Sequence, residues 1–222
     1  TKKMTKNACF GQNTPWSKSP WSKCPWSNIP WSNGIFLRFA RFGRGIKKIF
    51  RKLDKYIFRV YITNMFNKIF QASQEISRKE TFAIWAGRQT VESKSVYAAL
   101  VQFCTRNGIR VVVNADASCG VSMGSLIVLP SMDVHVLAHE IAHSLLHNKT
   151  MRDAAKVNAS VKSAMEVEAE LTAHAICQEF GIDTFEVSAA YIRNWNVTRK
   201  MIDNCEDRIL RTVNQVKLSC GI

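Results

Sequence analysis

The 222-residue chain lacks several features that would assign it to a common class of protein. It has no run of 18 uncharged apolar residues, so we expect no segment that spans a bilayer. Its first ten residues, TKKMTKNACF, contain no signal-peptide apolar region, which predicts that the protein is not exported. The seven cysteines form no C-x-x-C pair, and their odd number and wide spacing argue against a disulfide framework or a cysteine-based zinc site. We therefore expect a cytoplasmic protein.

Acidic residues are also scarce, and this shortage is confined to the first third of the chain. Residues 1–80 contain 17 lysines and arginines and 3 acidic residues, whereas residues 81–222 contain 14 of each kind. Residues 1–34 carry four tandem P-W-S units without helical or strand periodicity, which predicts a low-complexity tail with no core of its own. The charge difference separates this basic part from a neutral domain that we expect to occupy residues 81–222.

Residues 35–80 are predicted to form a basic amphipathic helical arm, with one long helix over 35–72. The apolar stripe of this helix consists of Phe42, Ile46, Ile49, Leu53, Tyr56 and Val60. The basic residues expected to contact nucleic-acid phosphate or another anionic surface are Arg41, Arg44, Lys47, Lys48, Arg51, Lys52 and Lys55. Three interpretations remain open: the stripe docks on the neutral domain, the arm binds nucleic acid, or it makes a peripheral contact with an anionic membrane.

The residues His139-Glu140-Ile141-Ala142-His143 have the spacing H-E-x-x-H. On a helix, positions four apart lie on one face, so both imidazoles can reach a single metal ion. Glu140 lies about 100° around the helix from His139, where it can contact a metal-bound water without being a ligand. Zinc lowers the pKa of such a water to about 7, and a neighbouring carboxylate can take its proton. The spacing therefore predicts metal-assisted hydrolysis with Glu140 as the base.

Two more histidines extend this spacing into a ladder of four, consisting of His135, His139, His143 and His147. Each step of four residues drifts about 40° around a helix axis, so one ion can bind only two neighbours. We predict that His139 and His143 are the ligands, and that His135 and His147 contact the site from behind or lie at the surface. The apolar residues of 134–146 predict that this helix is buried.

A catalytic zinc ion needs a third protein ligand, which we expect from a second helix over 163–180. Glu166, Glu170 and His174 share one face of that helix. We predict Glu166 as the third ligand and Glu170 as the acceptor of a hydrogen bond from a ligand histidine, with the reverse assignment open. Glu168 and Glu179 are predicted to lie on a solvated acidic face.

The segments VLAHEIAHSLLH, MEVEAELTAHAICQEFGID and SAAYIRNW resemble ImmA/IrrE-type zinc metallopeptidases, and above all the metallopeptidase-like domain of ArdC-type antirestriction proteins. The resemblance covers residues 96–195. It implies that His139, His143 and Glu166 bind one Zn²⁺ per chain, that Glu140 is the base, and that an edge strand pairs with an extended peptide. His174 departs from the family pattern. The resemblance implies a protein or peptide substrate.

These observations predict an α+β fold, a small zincin-like metallopeptidase domain in which helices surround a short β-sheet. Its expected elements are a helix over 91–106, strands over 109–113 and 121–129, the two metal-site helices, and helices over 183–195 and 200–217. We expect a zinc metalloendopeptidase that acts on a cytoplasmic regulatory protein. The alternative is an antirestriction-like DNA-binding protein of a mobile element, with a structural or vestigial zinc site.

Overall fold

The computed structural model describes residues 44–86, 90–91 and 93–221. These residues form eight helices and three short strands, which agrees with the predicted α+β class. The helices are α1 (Arg44–Glu75), α2 (Arg78–Ala86), α3 (Lys94–Arg106), α4 (Val134–Leu146), α5 (Lys149–Val157), α6 (Ala159–Glu179), α7 (Phe185–Asn194) and α8 (Arg199–Cys220). The strands are β1 (Arg110–Val113), β2 (Val121–Ser122) and β3 (Leu126–Leu129). No helix in this part of the chain has both the length and the apolar character that a membrane span requires.

The chain divides into two compact units, Thr1–Lys48 and Ile49–Ile222. For the first unit, the structure describes only the helical backbone of 44–48. The predicted low-complexity tail, 1–34, lies outside the described residues. The predicted divisions at 34/35 and 80/81 therefore stay predictions.

Helix α1 contributes to the core of the second unit through its C-terminal half. Ile62, Met65, Phe66 and Ile69 follow the spacing of one helix face, and all four are buried. Of the predicted apolar stripe, the structure describes the side chains of Leu53, Tyr56 and Val60, and all three are exposed, Tyr56 to 65%. Within the described residues, α1 therefore packs on the core through apolar side chains that come later in the sequence than the predicted stripe.

The sheet has the order β1-β3-β2, with β1 parallel and β2 antiparallel to β3. The predicted single strand over 121–129 is wrong, because a turn separates β2 from β3. Gly124 adopts a φ of +87° in this turn, a backbone conformation that side-chain-bearing residues rarely adopt. One face of β3 is buried through Ile127 and Leu129, while β2 stands at an edge of the sheet.

Helices α4 and α6 form the centre of the fold, and both begin with a side-chain cap. Asp133 accepts hydrogen bonds from the backbone N–H groups of His135 and Val136, and Asn158 caps α6 in the same way. The bounds of α4 agree with the predicted 134–146, whereas α6 begins four residues before the predicted helix at 163. The apolar side chains of the two helices are buried together in one core, which fixes the polar faces that they turn toward each other.

Two of the cysteines lie in the core. Cys104 on α3 and Cys177 on α6 are both buried among apolar residues. Burial raises the pKa of the Cys104 thiol to about 12, so it stays protonated and unreactive at neutral pH.

Candidate metal centre

Helix α4 places the imidazoles of His139 and His143 side by side. Their Nε2 atoms are 3.1 Å apart, and both side chains are largely buried. The opposite side of α4 is apolar, with Leu137 and Ile141 fully buried, so the helix cannot rotate without exposing its core face. The packing of α4 thus fixes the direction in which both rings point.

The carboxylate of Glu166 on α6 completes a triangle with these two rings. Its Oε2 atom lies 3.5 Å from Nε2 of His139 and 3.6 Å from Nε2 of His143. A tetrahedral zinc ion with bonds of about 2.0–2.2 Å separates neighbouring ligand atoms by roughly 3.3–3.6 Å. The two edges to Glu166 fall in this range and the 3.1 Å edge between the imidazoles is slightly shorter, so the three atoms could hold one metal ion, as the sequence predicted for these three residues.

Glu170 stands behind the triangle rather than in it. Its Oε2 accepts a hydrogen bond from Nδ1 of His139 at 2.9 Å, and its Oε1 accepts one from Nε2 of His135 at 2.8 Å. With its proton on Nδ1, a neutral His139 ring would offer the lone pair of Nε2 to a metal ion bound between the three ligand atoms. This geometry favours Glu166 over Glu170 as the third ligand.

The other end of the ladder has a different arrangement. Nδ1 of His143 lies 2.9 Å from Nδ1 of His147, and Nε2 of His147 lies 3.1 Å from Oε2 of Glu168. Arg208 on α8 donates two hydrogen bonds to Glu168, from Nε at 2.7 Å and from a terminal nitrogen at 2.9 Å. His135 and His147 are therefore buried contacts of the site, and the alternative that they lie at the surface is wrong.

The predicted solvated acidic face of α6 is also wrong. Glu168 is only 1% exposed, because α8 packs over the side of α6 that we expected to face water. The Glu179 side chain is 13% exposed and pairs with Lys217, again on α8. The amphipathic pattern of α6 did not reveal this second covered face, because the residues that cover it follow much later in the sequence.

The cluster carries more buried negative charge than its permanent cations balance. Four carboxylates, those of Glu140, Glu166, Glu168 and Glu170, are wholly or mostly buried around the ladder, and Arg208 pairs with one of them. Buried carboxylates are costly unless they are paired or bind a metal. The remaining charge can be balanced by protonated imidazoles, by protonation of a carboxyl or by a bound cation, so this donor set is compatible with a divalent metal ion.

The ionisation of the triangle reflects the same excess of negative charge. Burial disfavours protonation of His139, but its hydrogen bonds to Glu166 and Glu170 outweigh this effect and raise its pKa to about 10. Burial also opposes ionisation of Glu166, yet its contacts with His139 and His143 lower the pKa of that carboxyl below its usual range. Glu166 is thus ionised at neutral pH, as a metal ligand must be.

Glu140 is 6% exposed and lies against the backbone that enters β2. Burial raises the pKa of its carboxyl, and the charges of His139 and His143 partly offset this, with a smaller contribution from a hydrogen bond to the backbone of Ser122. A Cβ atom at Gly120 would lie 2.8 Å from Oε1 of Glu140 and 2.6 Å from a methyl group of Val136. Glycine at position 120 therefore allows the backbone to approach Glu140 this closely.

Tyr191 on α7 and His174 on α6 are two further polar side chains in this part of the fold. The Tyr191 hydroxyl donates a 2.6 Å hydrogen bond to Oε2 of Glu166, and its ring packs edge-on against His139. His174 is buried, with Nδ1 2.7 Å from the hydroxyl oxygen of Thr184 at the start of α7. The structure thus places Tyr191 beside the triangle, whereas His174 contacts another buried hydroxyl.

The predicted anionic-surface residues are described only in part. Arg41 lies outside the described residues. For the remaining six, Arg44, Lys47, Lys48, Arg51, Lys52 and Lys55, the structure describes the backbone of α1 and not the side chains. The prediction that they contact phosphate or another anionic surface stays a prediction.

Sequence reasoning missed Arg208, Gly120 and Ser122. The glycine-containing turn before β2 was a signal of close backbone approach, since a glycine at a strand boundary often serves that purpose. Arg208 gave no local signal, because its partner Glu168 lies 40 residues earlier on another helix.

Comparison with known proteins leaves the family of this chain open. No family model matches the chain, and no solved structure matches it. An uncharacterized protein of Bacillus anthracis is 27% identical over 141 residues, which cover 62% of this chain and 21% of that protein. The matched part is thus about a fifth of the relative's length, and the relative's description assigns no activity.

Proposed function

We propose that this chain is a zinc-dependent metallopeptidase with a zincin-like domain, similar to the ImmA/IrrE and ArdC-type proteins. The observation that carries the proposal is the triangle of His139 Nε2, His143 Nε2 and Glu166 Oε2, whose edges are 3.1, 3.5 and 3.6 Å. The surrounding excess of buried carboxylate supports a divalent cation at the same place. A nitrogen and oxygen donor set of this size suits zinc.

A zinc ion held by these residues would supply Lewis acidity, which polarises a peptide carbonyl and lowers the pKa of water. Glu140 then acts as the general base: its carboxylate takes a proton from the attacking water and delivers it to the leaving amine. Burial raises the pKa of this carboxyl, whereas the charge of a bound zinc ion would lower it. The backbone at Gly120 and Ser122 lies against this carboxyl.

Tyr191 is the proposed donor to the developing oxyanion. Its hydroxyl already donates to Oε2 of Glu166, beside the position where a substrate carbonyl would bind. Burial and the charge of Glu166 raise the pKa of Tyr191, so the hydroxyl remains a donor at neutral pH.

The test is cleavage of a library of unstructured peptides, followed by mass spectrometry, with the zinc-loaded parent and with Glu140→Gln. We expect the variant to keep its zinc and to lose activity by about 10²–10⁴-fold, because it lacks a general base. His174→Asn serves as a control, since His174 does not contact the triangle. Loss of zinc from Glu140→Gln, or equal cleavage by parent and variant, would contradict the proposal.

The basic composition of residues 1–80 favours one alternative, an antirestriction-like DNA-binding protein with a structural or vestigial zinc site. The Glu140→Gln comparison separates the two functions. If DNA binding is the function, this substitution leaves the affinity for a single-stranded oligonucleotide unchanged, and the zinc-loaded parent cleaves no peptide in the library.

A further inference from the structure

The hydrogen bonds at the C-terminal end of the ladder have a defined direction. If His143 presents the lone pair of Nε2 to a metal ion, its proton must be on Nδ1, which then donates to Nδ1 of His147. The proton of a neutral His147 is consequently on Nε2, where it donates to Oε2 of Glu168. Each ring nitrogen of His143 and His147 is then either a donor or an acceptor, and the hydrogen bonds from His143 through His147 to Glu168 are mutually compatible.

Arg208 restrains Glu168, the last group in this series of hydrogen bonds. Its two hydrogen bonds hold the Glu168 carboxylate in a bidentate geometry, which restrains both the position and the plane of the carboxylate. Glu168 and His147 are almost inaccessible to solvent, so water does not compete for these contacts. Arg152 also donates to the backbone oxygen of His147, which restrains the residue at the end of α4.

We propose that Glu168, clamped by Arg208, orients the ligand His143 through His147, so that helix α8 helps to set the metal affinity of the site. This inference rests on the proposed metal centre. His147, Glu168 and Arg208 are positioning residues, since none of them contacts the triangle's metal position. Metal-ligand histidines commonly donate to a carboxylate directly, as His139 does to Glu170. Here a second imidazole is inserted between ligand and carboxylate.

The first test compares His147→Gln with His147→Leu. A glutamine amide can accept from His143 and donate to Glu168, whereas leucine fills the space and can do neither. We expect His147→Leu to weaken zinc binding by about 10–100-fold, measured by competition with a chromophoric chelator, and His147→Gln to restore most of that loss. The visible spectrum of the cobalt-loaded protein should change in the leucine variant, because it reports the orientation of the ligands.

The second test uses two ion pairs that join the same helices. Arg208–Glu168 and Lys217–Glu179 both connect α8 to α6, and only the first connects to the ladder. We expect Arg208→Gln to weaken zinc binding by about 10-fold, and Lys217→Gln to leave it within about twofold while costing similar thermal stability.

The outcomes separate this inference from the function on which it rests. If the parent does not bind zinc, both the proposed metal centre and the positioning role are contradicted. A parent that binds zinc, with equal affinities in the two His147 variants or in Arg208→Gln and Lys217→Gln, would leave the metal centre standing and overturn the positioning role.

Discussion

At the N-terminal end of the histidine ladder, Glu170 accepts hydrogen bonds from two imidazoles, whereas at the C-terminal end Glu168 accepts from one imidazole and from Arg208. The charge of Glu170 is therefore compensated by groups whose own protonation varies. The charge of Glu168 is compensated by a guanidinium that is always protonated. These two carboxylates, two residues apart on α6, thus differ in how far the compensation of their charge depends on what occupies the metal centre.

This difference implies that the two ends of the ladder are stabilised in different ways. The Arg208–Glu168 pair can form whatever occupies the triangle, so the C-terminal end of the ladder is ordered by packing of α8. The His135–Glu170–His139 group lies within the uncompensated part of the cluster, and a bound cation would stabilise it directly. We therefore expect substitutions at the N-terminal end to have the larger effects.

The largest of these effects should come from Glu170→Gln. An amide oxygen can accept from one imidazole, but its NH₂ group would face the N–H of the other and leave a buried donor without a partner. We expect a loss of about 1–3 kcal/mol in the free energy of unfolding and about 10–100-fold weaker zinc binding. Urea unfolding and chelator competition measure the two quantities.

Glu168→Gln is the matched control for that experiment. Its amide oxygen can still accept from His147, and the Arg208 side chain, which is 43% exposed, can turn toward water. We expect a smaller loss in both measurements. Equal losses at positions 168 and 170 would break the distinction between the two ends of the ladder.

The smallest effect on stability is expected for an exposed carboxylate at a helix N-terminus, which serves as a reference for the buried Glu168 and Glu170. Glu80 accepts a hydrogen bond from the N–H of Ser77, whose hydroxyl oxygen accepts one from the N–H of Glu80, a capping box at the start of α2. These contacts with Ser77 lower the pKa of Glu80 below 4.5. Because the folded pKa is lowered, its stabilising contribution is present above the unfolded pKa and is lost as pH falls through the folded pKa.

Urea unfolding of the parent and of Glu80→Gln between pH 7 and pH 3 tests this sign. The parent should be slightly more stable near pH 7, and the difference should shrink toward pH 3. A difference that grows as the pH falls would show that the side-chain charge does not stabilise this cap.

The sequence was most informative where the pattern lies within one short segment. The helical period predicted α4 to the residue, and the H-E-x-x-H spacing placed His139, Glu140 and His143 together. The choice between Glu166 and Glu170 could not be made from sequence, because both lie on one face of α6 and their difference depends on which side of the histidine rings they approach.

The remaining errors concern contacts between distant segments. Glu168 lies about 200° around the helix from Glu166, a position that is solvated unless another helix covers it. Helix α8 does cover it, and a contact between residues 168 and 208 has no periodic signature. The break between β2 and β3 was missed for a different reason: the apolar residues continue on both sides of Gly124, so composition alone favoured one strand.

The most direct test of the metal centre is the zinc content of protein purified without added metal, determined by elemental analysis for the parent, His139→Ala and Glu166→Ala. The triangle predicts about one zinc per chain in the parent and close to none in either variant, because a structural or catalytic zinc ion requires at least three protein ligands. A parent without zinc, or zinc that remains in both variants, would contradict the assignment of His139, His143 and Glu166 as a metal site.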